Sequence, residues 1–131
     1  MPGPFRLTVD SFDGIPVLRV GGGLVFGENL TDLRDTVRRF TSEGHERIVV
    51  DVTDVESTDS SGISALLAAG RVISESGGRI VLLRPSERLR AALAMVRVTS
   101  LFEVVDDEAA LTRRVAEWRL RSSSDRGPDV P

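Results

Sequence analysis

Apolar and polar residues alternate from Phe5 to Asp10, the period of a strand with one face in a core and one in water. Asp13-Gly14 supplies a turn and Ile15 to Val20 reads as a second strand, so the two predict an N-terminal hairpin. Gly21-Gly22-Gly23 breaks that pattern, and Leu24-Val25-Phe26 is a short apolar run ahead of Gly27. From Asn29 the period changes. Leu30, Leu33, Val37 and Phe40 fall on one stripe of a helix, with Thr31, Asp32, Arg34, Asp35 and Arg38 on its wet faces and Glu43-Gly44 as its stop. Arg47 to Val52 is a β-branched run too apolar for a surface strand, which predicts a central strand covered on both faces.

Asp54 to Gly62 reads as a polar loop that ends in helix-start chemistry. Ile63, Leu66, Leu67, Gly70 and Ile73 then form a second helical stripe, ended by Gly77-Gly78. Arg79 to Leu83 is another buried strand, and Pro85-Ser86 opens a shorter helix carrying Leu89, Leu93 and Val96. Leu101 to Val105 gives a last strand. Asp106-Asp107-Glu108 sets acids at the positive end of a final helix that presents Leu111, Val115 and Trp118. From Arg121 onward the apolar period is lost, so residues 1–120 are expected to form one domain and 121–131 a disordered tail. The order β-β-α-β-α-β-α-β-α predicts a layered α/β domain, a mostly parallel, mixed sheet with an N-terminal hairpin and about four helices.

Composition mainly excludes. At 131 residues, 40 % hydrophobic and 28 % charged, the chain can bury a core as a single globular domain without metal or disulfide staples. A net charge of −3 argues against a dense basic face for nucleic acid, and no apolar run approaches the ~20 residues of a membrane span. A cytoplasmic setting is expected. There is no cysteine, and every one of the 17 basic residues is arginine, which removes thiolate, Schiff-base and Walker-lysine chemistry. The single histidine, His45, leaves no histidine pair for a metal and almost no room for a Ser-His-Asp apparatus, whose Gly-x-Ser-x-Gly elbow is also missing. Asp51, Asp54, Glu56 and Asp59 do not have the spacing of a calcium loop. No catalytic residue, metal or cofactor is expected.

What remains is the approach to the second helix, Asp59-Ser60-Ser61-Gly62. Read from the residues alone, Asp59 or Ser60 caps that helix, an ordinary device contributing ~1 kcal/mol. The stretch IVVDVTDVESTDSSGISALL, however, resembles the core signature of the STAS domain, specifically the anti-sigma factor antagonists of bacterial partner switching. GLVFGENLTDLRDTV, the Gly77-Gly78 break before a strand and LFEVVDDEAAL match the same framework, so the resemblance runs from about Phe5 to Trp118. It implies a regulatory serine directly after the Asp, which is Ser60. It further implies that an anti-sigma factor serine kinase, a histidine-kinase-like ATPase, modifies Ser60 and that a PP2C-type phosphatase reverses the step. The unmodified protein would then hold the kinase and the modified one release it.

On this expectation Asp59, Ser60, Ser61, Gly62 and Ile63 form the partner-binding centre, joined by Leu24, Val25 and Glu28 of the neighbouring loop. No direct nucleic-acid or membrane contact is expected, and the chain would be a monomer or weak homodimer. Two positions depart from the family pattern. Thr58, after Ser57, stands where a large apolar residue is common and brings extra hydroxyls; Val25 follows Leu24 where many close antagonists carry an Asp. The competing reading keeps the fold but makes the chain a STAS subunit of a transporter or signalling scaffold, with Ser60 as a cap and no phosphorylation switch.

Overall fold

The computed structural model describes residues 3–96 and 101–126, the last five of these by backbone alone. Strands β1 (Arg6–Phe12) and β2 (Ile15–Leu24) form an antiparallel hairpin closed by Asp13-Gly14. Both turn residues have positive φ, 57° and 85°. That two-residue turn matches the right-handed twist of the strands it joins. Then follow α1 (Thr31–Ser42), β3 (Arg47–Thr58), α2 (Ser60–Ser74), β4 (Arg79–Leu83), α3 (Glu87–Met95), β5 (Phe102–Val105) and α4 (Glu108–Arg126). The sheet order is β1-β2-β3-β4-β5, with β2 through β5 parallel. This is the mixed sheet with an N-terminal hairpin and four helices that the sequence predicts.

The two faces of the sheet are covered unequally. Ile48, Val50 and Val52 of β3 point to one side, where they pack with Leu33 and Val37 of α1, Leu66, Ala69 and Ile73 of α2, and Leu89 and Leu93 of α3. Val49, between them, joins Val17, Val81, Leu83 and Val105 under Leu111, Val115 and Trp118 of α4 alone. The strand period of two thus divides one apolar run between two cores. On the α4 face Asp51 is the buried charged residue among those described; its carboxylate takes a 2.6 Å bond from Arg19 and accepts the Thr53 amide at 3.0 Å.

Three expectations are corrected. The stretch from Asp54, read as loop, remains strand to Thr58, because Gly21 to Leu24 pair with Asp54 to Thr58. For the same reason the glycine triplet is strand and not a break. Gly22 is required by a crossing: at φ 75°, a Cβ on it would stand 2.0 Å from the Pro4 carbonyl, while Gly23 beside it donates to the Gly3 carbonyl at 3.0 Å. Finally, α4 continues to Arg126, so 121–126 are helical where a tail was expected. Nothing in Ser-Ser-Ser-Asp-Arg stops a helix before Gly127-Pro128. The rest of the expected tail, 127–131, lies outside the described residues.

Candidate functional site

In parallel sheets, sites form where the carboxyl ends of strands feed helix N-termini. Here β3 ends at Thr58 and α2 starts at Ser60, so a single residue, Asp59, makes the junction. Asp59 is extended (φ −125°) and caps α2: Oδ1 accepts the amides of Ser61 at 2.9 Å and Gly62 at 3.1 Å. Its other oxygen, Oδ2, accepts the amide of Phe26 at 3.0 Å, and its own amide donates to Leu24 at 3.4 Å. One carboxylate therefore joins the α2 N-terminus to the β2–α1 loop. The Phe26 amide, with those of Gly62 and Ser61, holds the Asp59 carboxyl below the usual carboxylate range. Because these cap bonds fall to Asp59, the cap offers Ser60 no role, and Ser60 stands exposed on the first turn.

The sequence-derived contact residues separate into two groups. Asp59 and Ser60 are exposed, and Ser61, Ile63, Val25 and Glu28 are half-buried. Leu24 is fully buried in the core and Gly62 is buried, so neither presents a side chain to a visitor. Both were expected at the contact because they flank it in sequence; they instead form the joint beneath it. A Cβ on Gly62 would meet the Leu24 carbonyl oxygen at 1.9 Å. Glu28 also has an internal task, its Oε1 accepting the Phe5 amide at 2.8 Å. Of the extra hydroxyls, Ser57 Oγ is buried and Thr58 is half-buried, which leaves Ser60 the most open of the group.

Ser60 and Ser64 crown a ridge between two grooves. The first, of about 490 Å³, lies toward α1 and is lined by Phe26, Leu30, Arg34, Ala65 and Ala68 among others. The second, of about 430 Å³, lies toward α3, with Ile63, Leu67, Leu89, Ala92, Met95 and Val96 as its apolar wall and Arg88 at its edge. Sequence reasoning missed Phe26, which is 82 % exposed, and Met95, equally so. It placed Val96 on the α3 core stripe, whereas Val96 is 46 % exposed at the helix end. Only the run Leu24-Val25-Phe26 hinted at an apolar residue here, without saying which member faces out.

The acids of the Asp51–Asp59 stretch are dispersed: Asp51 with Arg19, Glu56 on the Gly3 amide, Asp59 in its cap. Among the described residues no three His, Asp or Glu gather to hold an ion. His45 packs edge-on against Phe40, ring centres 5.6 Å apart, before the start of β3 and so at the opposite end of that strand from this junction. No described helix is long and apolar enough to cross a membrane.

A scan against protein-family models matches residues 7–106, more than half of the chain, to the family described as Mlab, STAS domain. A Thermotoga maritima protein, provisionally named an anti-sigma factor antagonist, is 27 % identical over 78 residues, 57 % of this chain and 69 % of that protein. A homologue from Thermotoga neapolitana is 27 % identical over 67 residues, 51 % of this chain and 59 % of its own length. Among solved structures, the anti-sigma factor antagonist SpoIIAA in its unphosphorylated form gives a TM-score of 0.65 at 23 % identity, covering 86 % of this chain and 97 % of that one. The phosphorylated form of the Bacillus protein gives 0.63 at 22 % identity over 83 % of this chain and 97 % of that one. The T. maritima protein's crystal structure gives 0.69 at 22 % identity over 84 % and 94 %. At these identities the solved structures speak to the fold.

Proposed function

The chain belongs to the STAS domain family, and from that footing we propose that it is an anti-sigma factor antagonist, held by its partner at the N-terminus of α2 and released when Ser60 is phosphorylated. The observation that carries the reading is the exposed Ser60 hydroxyl on the first turn of α2, beside a cap that belongs to Asp59 and between two grooves that a partner can enter. The names of the Thermotoga relatives support it, as does the existence of SpoIIAA in unphosphorylated and phosphorylated forms on this fold.

The chain acts by binding, and the catalysis belongs to its partners. A serine kinase that is itself the anti-sigma factor supplies ATP: Ser60 Oγ attacks the γ-phosphorus, ADP leaves, and the hydroxyl proton passes to a base of the kinase. A PP2C-type phosphatase reverses the step by hydrolysis: water takes the phosphoryl group as inorganic phosphate, and the Ser60 oxygen regains its proton. The phosphoryl group brings about −1.5 to −2 charges to the helix start. The helix's own positive end tolerates that charge, so the fold persists. A docked partner does not. One like-charge pair ~6 Å apart at an effective dielectric near 20 costs about 3 kcal/mol, roughly a hundredfold in affinity.

The test pairs the full chain with ATP and its cognate histidine-kinase-like ATPase, sought first among the genes neighbouring its own, followed by intact mass and site mapping. We expect one phosphoryl group, on Ser60, with Ser60→Ala binding the ATPase constitutively and Ser60→Asp binding weakly. A bound ATPase that never modifies the chain, or equal affinity for both variants, overturns the switch and leaves the scaffold-subunit reading.

A further inference from the structure

Phe26 sits with 82 % of its surface in water, while its neighbour Leu24 is fully buried. An aromatic ring that contributes nothing to its own core, on a loop held rigid, calls for an external cover. The loop is held from both sides. The Phe26 amide is bonded to Asp59 Oδ2 at 3.0 Å, and Glu28 accepts the Phe5 amide at 2.8 Å. Gly27 turns the chain at φ 96°, and Glu28 donates back to Val25 at 3.3 Å.

We propose that Phe26 is the apolar anchor by which the serine kinase grips this chain, and that Asp59 is the positioning residue that presents it. The inference rests on the functional reading above and adds the kind of surface the kinase must offer: an apolar pocket the width of a phenyl ring, next to its ATP site. Ser60 itself gives little to hold, being a small hydroxyl on a convex ridge. Phosphoryl transfer nevertheless needs the acceptor oxygen fixed close to the γ-phosphorus, so the grip must come from a neighbour of fixed geometry. Phe26 meets that need, because its backbone is bonded to the carboxylate of the residue that directly precedes Ser60. The kinase therefore meets a ring carried on a backbone already fixed, and docking has only the side-chain rotation left to order.

The experiment is steady-state phosphorylation of Ser60 by the cognate ATPase of the preceding test, in wild type, Phe26→Ala, Phe26→Leu, Asp59→Asn and the Phe26→Ala/Asp59→Asn double variant. Amide hydrogen exchange at Phe26 is followed in parallel. Phe26→Ala should raise KM ~10-fold or more, the scale of an aromatic hot spot, with kcat and the urea midpoint unchanged. Phe26→Leu should restore most of the loss. Asp59→Asn, which loses an acceptor for the Phe26 amide, should lose exchange protection there and raise KM, yet add little to Phe26→Ala in the double variant. If wild type is phosphorylated and Phe26→Ala keeps its KM, the anchor is overturned and the Ser60 reading survives. If wild type is never phosphorylated, both fall. Fully additive losses, or unchanged exchange in Asp59→Asn, overturn the part given to Asp59. Self-association abolished by Phe26→Ala would assign the ring to a second copy and overturn the proposal.

Discussion

The carbonyl oxygen of Leu24 occupies the space that any side chain at position 62 would need, 1.9 Å from a Cβ built on Gly62. That oxygen is backbone at the end of β2 and accepts the Asp59 amide at 3.4 Å, so it cannot swing aside as a side chain would. Gly62→Ala must push the α2 N-terminus outward, stretching the Asp59 cap. We expect a loss of about 1–3 kcal/mol in urea unfolding, the usual cost of overpacking. Gly77→Ala is the control: φ is 85° but nothing lies within 4 Å of its Cβ, so only backbone strain of ~1–2 kcal/mol remains.

Asp59 should leave a mark on the pH dependence of stability. The amides of Phe26, Gly62 and Ser61 lower its folded pKa beneath the unfolded value of ~3.9. A lowered carboxyl stabilises fully above the unfolded value, and the contribution disappears as pH falls through the folded one. The difference in urea midpoint between wild type and Asp59→Asn should therefore stay constant from pH 7 to 5 and close below pH ~4. Asp10, also lowered by the Ser11 amide and by Arg19, is present in both proteins and cancels.

Arg19 bridges two carboxylates of unequal importance. Asp51, 2.6 Å away, keeps 11 % of its side-chain surface in water; Asp10, 3.2 Å away, keeps 57 %. Arg19→Ala strips a charge partner from the buried acid, though Thr53 still donates to it, and should cost about 1–3 kcal/mol. Asp10→Ala should leave the denaturation midpoint where it was.

Trp118, the single tryptophan, is 7 % exposed between two guanidinium groups, Arg47 at 5.2 Å and Arg114 at 5.6 Å from its ring centre. Its emission should be blue-shifted and should move red in one step on unfolding. Trp118→Ala should cost ~3–5 kcal/mol as α4 loses its deepest ring. Trp118→Phe should be far milder, because the buried Nε1–H has no acceptor among the described residues and its removal costs no hydrogen bond.

The local periods in the sequence were enough for the element order and the split of helices from strands. Leu33 and Val37, or Leu111 and Val115, lie on their stripes as spacing predicts and are buried. What stayed hidden depends on pairing between distant segments. Thr53 and Asp54 look like the start of a loop, yet β3 runs on because Gly21 to Leu24 lie alongside it. Glycine weakens a strand in isolation, so the triplet read as a break; its purpose shows only once residues 3 and 4 cross it. The place of Ser60 at the start of α2 was legible from the helix-start chemistry around it. Phe26 was not, since which residue of a three-residue apolar run turns outward is decided by Asp59, more than thirty positions later.

The lopsided sheet, three helices in front and α4 alone behind, gives the molecule two departments that can be altered independently. Substitutions beneath α4 change how firmly the chain holds together without reshaping what a visitor touches at α2. A variant that weakens recognition while the rear tryptophan still reports an intact core has been damaged in its conversation with the partner, not in its architecture.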